Sequence, residues 1–342
     1  MNKQANKTNN GAKFLTSIAF CAALAACGGG GGSSTGSNSN NSSTGSSSTG
    51  STTAPTSPST GNVSTPQYSA NSAQQAIFNT INQQRQQCGF PTLTENTVLD
   101  KAAQAHASYM GQNNGAVTDS EVTGNPGFTG VSYADRAAAA GFPRSAVATG
   151  VSAGYYTNAT LSEAGYGQQI AAEWLSGVYH VVVATLPATQ IGVGWNELTY
   201  NGFPEVQGSV TLASIQPMSG NLPLTYPCEG TTDVPYKVAG EVPTPPNVSD
   251  AWGPSISVAG NPTDTIRMTS ATLTDSTSGS VINLQVLDSS TDTTGTISAN
   301  QGRAYPTTAL GQNTKYTATV NGTYNGTPFS RTFSYTTGTK VG

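Results

Sequence analysis

The sequence is poor in charge. Asp, Glu, Lys and Arg make up 9% of its 342 residues, against about a quarter in ordinary globular domains. The polar surface must therefore be built from Ser, Thr, Asn, Gln and Gly, which suits a protein outside the cytoplasm. The 13 cations form no cluster beyond the first residues, and the net charge is -4. That argues against nucleic acid as a partner, because phosphate contacts need several grouped Lys and Arg side chains. Histidine is scarcer still: His106 and His180 are the only two, so chemistry that needs an imidazole has two places to occur. Long apolar runs are also lacking. Phe14 to Ala26 is too short for a transmembrane helix, which needs about 20 apolar residues.

That short run instead has the form of a targeting segment. Lys3, Lys7 and Lys13 precede it as a positive region, so residues 1–26 read as a signal peptide. Its end, Leu24-Ala25-Ala26-Cys27, resembles a bacterial lipobox in which Cys27 is lipidated after cleavage; the alternative is an ordinary cleavage site after small residues. Gly28 at the second mature position fits outer-membrane sorting in a Gram-negative host. The expected localisation is the cell envelope, as an outer-membrane lipoprotein or at the cell surface, with the membrane as a partner through the lipid. Losing the three lysines leaves ten cations against 17 carboxylates, a mature charge of about -7. Residues 27–66 are Gly, Ser, Thr, Asn and Pro with almost nothing apolar. They cannot bury enough surface to offset their ordering entropy and read as a disordered tether.

Cysteine is equally sparse, with four in the chain. Cys21 leaves with the signal and Cys27 carries the lipid. Cys88 and Cys228 remain, an even pair in an oxidising compartment, and are expected to form a disulfide. The closed loop exceeds a hundred residues and contributes ~4 kcal/mol in the chain-entropy model. A zinc site is the weaker alternative, since neither Cys has a second ligand at zinc-finger spacing.

Order is expected from Tyr68. Ala73, Ile77, Phe78 and Ile81 recur at helical spacing, and Cys88-Gly89 stops that helix. A second helix from Thr97 carries Leu99, Ala102, Ala103, His106 and Met110 on one face. His106 therefore points inward and reads as a packed histidine satisfied by a hydrogen bond. Polar residues 111–130 form a loop, Tyr133 to Gly141 a short helix with a Gly terminus, and Gln168 to Ser176 another helix. The runs 190–195 and 209–215 read as strands. A Pro-rich stretch, residues 231–250, reads as a semi-rigid linker. Beyond it the runs 266–269, 281–287, 316–320 and 332–336 are β-rich, with Asn325-Gly326 as a hairpin signal. The expectation for residues 251–342 is a small all-β sandwich of immunoglobulin-like type, and Leu310 to Tyr316 resembles the tyrosine-corner segment of such domains.

The residues between also carry a resemblance. Asn82-x-x-Arg85 near Cys88-Gly89-Phe90, and Leu99-Asp-x-Ala-Ala-x-x-His106-x-x-Tyr109-Met110, resemble the start of a bacterial CAP domain. That superfamily is named for cysteine-rich secretory proteins, antigen 5 and pathogenesis-related 1 (also called SCP-like). Pro126-Gly-Phe-Thr-Gly130, Asp135-Arg136, Gly141-Phe142, Trp174-x-x-Ser, Tyr179-His180 and Ile191-Gly-Val-Gly194 occur after them in the family's order. The resemblance implies an α+β fold, a CAP-type α-β-α sandwich over residues 67–230 with a cleft lined by two His and two acidic residues. Several positions depart from that pattern. The place of the first cleft His reads Asp119-Ser120-Glu121, and the place of one cleft Glu is Thr149. The second His matches His180, but the Arg that usually comes after it is Val181.

A degenerate cleft points toward binding. His180, Asp119 and Glu121 are the candidate cleft residues, and together they form at most an incomplete set for a divalent metal, which wants three or four ligands at about 2 Å. No cofactor is expected beyond that open possibility. The first functional expectation is a non-catalytic binding module for a lipid, a glycan or a surface protein. The resemblance adds apolar ligands, since some relatives bind sterols or fatty acids. The alternative is a hydrolase of peptidase, esterase or metal-assisted type, in which His180 works with nearby carboxylates such as Glu173. A third expectation is adhesion through the β domain alone. Gly150-Val-Ser152-Ala-Gly154 matches the Gly-x-Ser-x-Gly nucleophile elbow, but the next residues, Tyr155-Tyr-Thr-Asn-Ala, are a poor helix start.

Overall fold

A computed structural model describes residues 61–342. The signal segment, Cys27 and the tether up to residue 60 lie outside the described residues. Helix α1 (Ala73–Gln87) starts at Ser72, whose hydroxyl accepts the Gln75 N–H at 3.1 Å, and buries Ala73, Ile77, Phe78 and Ile81 as their spacing requires. Helix α2 (Thr97–Gln112) is capped by the Asn96 side chain and buries Leu99, Ala102, Ala103, His106 and Met110. Helix α3 (Tyr133–Ala139) opens with a Ser132/Asp135 capping box. Helix α4 (Glu163–Ser176) begins at Ser162, earlier than the apolar pattern indicates, because its first turn is held by the Ser162 hydroxyl and not by burial. Helix α5 (Val182–Thr185) is a single turn.

These helices pack on a sheet of β1 (Thr94–Glu95), β2 (Val147–Tyr156), β3 (Ala188–Tyr200) and β4 (Phe203–Ile215), in the order β1-β3-β4-β2. All its pairs are antiparallel except β1–β3. A Cβ on Gly192 would lie 2.0 Å from the Leu99 carbonyl carbon, and one on Gly194 2.1 Å from the Ala103 carbonyl oxygen. Helix α2 therefore lies directly on one face of β3. The alternating residues Ile191, Val193 and Trp195 turn the other way and share a core with Ile77, Ile81, Ile170 and Trp174 of α1 and α4. The stretch Gly150–Gly154, which matches a nucleophile elbow in sequence, lies inside β2, paired along its length with β4. It is not at a strand-to-helix turn.

The rest of the chain is β-rich. One sheet is ordered β10-β11-β7-β5, from β5 (Leu224–Tyr226), β7 (Ile256–Ala259), β10 (Gln285–Asp288) and β11 (Gln301–Tyr305). The other is ordered β6-β13-β12-β8-β9, from β6 (Thr231–Val234), β8 (Ile266–Asp275), β9 (Val281–Asn283), β12 (Lys315–Tyr324) and β13 (Thr327–Thr337). Ile256, Val258 and Ala304 of the first share one core with Leu273, Val320 and Tyr335 of the second. Asn325 and Gly326, at φ 50° and 80°, make the two-residue turn between β12 and β13. The Tyr316 hydroxyl accepts the Gly311 N–H at 2.9 Å, inside the Leu310–Tyr316 segment singled out by sequence. The arrangement is mixed α+β, with an α/β part and then a β-rich part.

Three segments behave differently from their composition. Gly61 and Val63 already bond to the Thr97 N–H and the Glu95 carbonyl, so order reaches further into the tether than its lack of apolar residues suggests. Strand β5 pairs with β7 of the later sheet. The Pro-rich stretch 231–250 is built in: β6 pairs parallel with β13, and Val238 exchanges two backbone hydrogen bonds with Trp252. Cys88, at the end of α1, is disulfide-bonded to Cys228 with a Cα–Cα distance of 5.4 Å. Among the described residues no helix is long and apolar enough to cross a membrane.

Candidate functional site

His180 stands on the turn between α4 and α5, and both ends of that turn are fixed by buried polar groups. On the α5 side the Arg85 guanidinium, fully buried, donates to the carbonyls of Val183, Ala184 and Ala188 at 2.9–3.2 Å. Burial pulls its pKa down to about 9. On the α4 side the Ser176 carbonyl accepts the Ser255 N–H at 2.9 Å, and the Val178 carbonyl accepts Arg303 Nε–H at 2.8 Å. Both donors belong to the β-rich part. Val178 and Tyr179 are buried against Leu287, Ile297 and Tyr305 of that part.

The partner of His180 also comes from there. Glu241, its side chain 2% exposed, reaches in from the Pro-rich stretch, and its Oε1 lies 3.0 Å from His180 Nδ1. The same carboxylate accepts the backbone N–H of Val178 and Tyr179 at 2.8 Å and of His180 at 3.0 Å. An acceptor-only carboxylate puts the imidazole proton on Nδ1. A Cβ on Gly177 would sit 2.6 Å from Glu241 Oε1, so a larger residue there would push Glu241 out. Burial opposes the His180 charge, but the hydrogen bond and charge of Glu241 outweigh it and the pKa is raised. Burial likewise opposes the Glu241 charge, and the His180 hydrogen bond and charge with the backbone donors hold its pKa below the ordinary value.

His180 and Glu241 face a cavity of about 300 Å³ lined by Asp119, Ser152, Glu173 and residues 238–242. Glu173, seven residues before His180 on α4, is brought to the same cavity, and its carboxyl makes no hydrogen bond among the described residues. Desolvation pushes that carboxyl up to about 8, with the His180 charge acting against the rise. Asp119 lies at the exposed side of the cavity, and its Oδ1 accepts the Tyr133 hydroxyl at 2.6 Å. Ser152 Oγ is 2.8 Å from that Tyr133 hydroxyl and 3.4 Å from Ser209 Oγ.

Glu121, a candidate cleft residue in sequence, is placed elsewhere. It is buried, accepts the Thr129 and Gly130 N–H groups at 2.5 and 3.1 Å, and lies 3.0 Å from His106 Nδ1. His106 Nε2 lies 2.8 Å from the Thr118 carbonyl, so both ring nitrogens are engaged rather than one. Burial and the neighbouring Arg136 charge lower its pKa. Arg136 donates to the carbonyls of Asp119, Gly130 and Val131. His106, Glu121 and Arg136 thus hold the loop that presents Asp119, and act on the cavity through it.

Among the described residues no three His, Cys, Asp or Glu side chains are grouped so as to hold a metal ion. Asp119 and Glu121, two apart in the sequence, are held by different partners, Tyr133 for the first and Thr129, Gly130 and His106 for the second.

Sequence reasoning misses Glu241, Arg303 and Gly177. Glu241 is a lone acid in Gly-Glu-Val-Pro-Thr-Pro-Pro, and its only signal is that carboxylates are rare in this chain. Residues 78–207 match the family model described as CAP, the cysteine-rich secretory protein family. The match supports a CAP domain over that segment. It spans Asp119, Glu173 and His180 and ends before Glu241 and Arg303. Searches of curated proteins and of solved structures returned no match.

Proposed function

We propose that the protein is a binding module of the bacterial cell envelope. In this reading a CAP domain of α-β-α type and an immunoglobulin-like β domain jointly enclose one small polar cleft, carried on a lipid at Cys27. The observation that carries it is the lack of a nucleophile at His180. Glu241 on Nδ1 orients the ring and leaves Nε2 as the nitrogen able to take a proton, but among the described residues the only side chain hydrogen-bonded to the imidazole is Glu241, and no hydroxyl or thiol is. Ser152 Oγ, the nearest hydroxyl candidate by motif, bonds to Tyr133 in the middle of β2.

The size of the cleft speaks to its ligand. A cavity of about 300 Å³ is at the small end for ligand sites, and Asp119, Glu173 and His180 on its walls favour a compact polar group over a sterol or a fatty acid. Such a group belongs to an envelope glycan or a peptide. The test is to assay peptide, ester and peptidoglycan substrates with the wild type and with His180→Ala. The binding reading expects no turnover from either. Turnover that disappears with His180 contradicts it and brings the hydrolase forward.

A further inference from the structure

The turn at Val178–His180 is built as an anion receptor. Three consecutive backbone N–H groups and the imidazole N–H converge on one carboxylate, the Val178 N–H on Oε2 and the other three on Oε1. Successive N–H groups in a turn form a concavity that selects anions, and hydrogen bonds between an ionised acceptor and such donors are the strong ones. Arg303 stiffens the receptor from behind by holding the Val178 carbonyl. The chain shows which ligand chemistry these donors accept, because Glu241 occupies them.

The segment that delivers Glu241 is held by little else. Among the described residues, residues 239–245 make no backbone–backbone hydrogen bond. Val238, paired with Trp252, anchors one end, and the Pro246 carbonyl, accepting the Tyr305 hydroxyl at 3.0 Å, anchors the other. Between them Gly240, Pro243 and Thr244 are exposed and Val242 is 78% exposed. Gly240, at φ 80°, takes the left-handed turn that sends Glu241 inward. Residues 239–242 also line the cavity, so their position decides whether it is open.

The geometry points to a carboxylate-binding site at Val178–His180, with Glu241 as its resident and displaceable occupant: residues 239–244, before the buried Pro245, are a lid latched by one side chain, and a ligand carboxylate that takes over the same donors releases it. This deepens the binding reading and rests on it. Asp119 across the cavity disfavours a second negative charge, so the rest of the ligand near it is neutral or cationic. A free peptide terminus and a sugar acid both supply this chemistry.

The test is amide hydrogen exchange on the full mature chain, with acetate as the shared probe, N-acetylalanine for a peptide terminus, glucuronate for a sugar acid, and chloride at equal ionic strength as control. In Glu241→Gln, which keeps an oxygen but loses the charge, the amides of residues 178–180 exchange about 10-fold faster or more. Acetate restores their protection saturably, and chloride does not. In the wild type the same carboxylates, at higher concentration, speed exchange in residues 239–242 while residues 178–180 stay protected. Whichever of the two larger probes acts at lower concentration names the source. Unchanged exchange in Glu241→Gln, faster exchange that no carboxylate reverses, or a wild-type lid indifferent to every carboxylate overturns the proposal. If Glu241→Gln does not fold, the wild-type lid decides alone. Turnover of a substrate would sink the binding reading without touching this result, and a failed carboxylate response would leave that reading standing.

Discussion

Glu241 and His180 are 61 residues apart in the chain and their side chains meet at 3.0 Å. The histidine lies inside the segment that matches the CAP family, and the glutamate lies outside it. The cleft is therefore a joint product of both parts of the chain.

Removing either partner should have unequal cost. Glu241→Ala strips the acceptor from four donors, three of them backbone N–H groups, and is expected to destabilise by about 3–5 kcal/mol. His180→Ala leaves Glu241 with its three backbone donors and should cost less than about 2 kcal/mol. Urea unfolding of the two variants measures this. An equal or reversed order would mean the pair is held mainly by the histidine.

Stability should fall as pH rises from mildly acid to mildly alkaline values. Glu173 has its pKa raised from 4.5 to about 8, so the unfolded chain releases this proton first and folding is progressively disfavoured across that interval. His180, also raised, contributes fully below about 6.5 and loses its contribution as pH rises through its folded value. Glu241, lowered, contributes above its unfolded value and loses that contribution only as pH falls through the folded one. Asp100, raised from 3.8 to about 7, adds to the same fall, and His106, lowered, opposes it below about 6.5. Glu173→Gln should make the fall shallower without abolishing it. A wild-type curve that rises between pH 5 and 8 would contradict the assignment.

Much of the fold was legible because it rests on short-range pattern. The α1 and α2 stripes, the Asn325-Gly326 turn and the pairing of the last two free cysteines each come from spacing or from counting. Strand β2 was not legible, because its alternating positions are small (Gly150, Ser152 and Gly154 on one side) and carry no apolar signal. Nor was the cleft partner. His180 and Asp119 stand where the family pattern puts cleft residues, but Glu241 arrives by long-range packing from a stretch whose prolines read as a linker. Glu121 was misplaced for a related reason, since what fixes it is non-local, the Thr129 and Gly130 N–H groups and His106.

The disulfide should matter to the whole described unit. It ties the end of α1 to the segment just after β5, across 140 residues. Cys88→Ser with Cys228→Ser should lower stability by about 2–5 kcal/mol. Thermal unfolding under oxidising and reducing conditions reads it directly, and a shift confined to the β-rich part would mean that the two parts unfold independently.

Ending the chain at residue 230 should damage the cleft without touching a residue of the CAP match. That truncation removes Ser255, Arg303 and Glu241, and uncovers Val178 and Tyr179. The shortened protein should bind an apolar dye and lose amide protection at residues 176–180. Native-like protection there would show that the turn is self-supporting.

The most direct measurement is the titration of His180 by NMR in the full mature chain, which is tractable because only two histidines are present. The account predicts that His180 titrates above the ordinary histidine value of about 6.5 and that Glu241→Gln brings it clearly down. A His180 pKa that is the same in both proteins would mean that Glu241 does not engage the imidazole, and the two-part cleft would have to be abandoned.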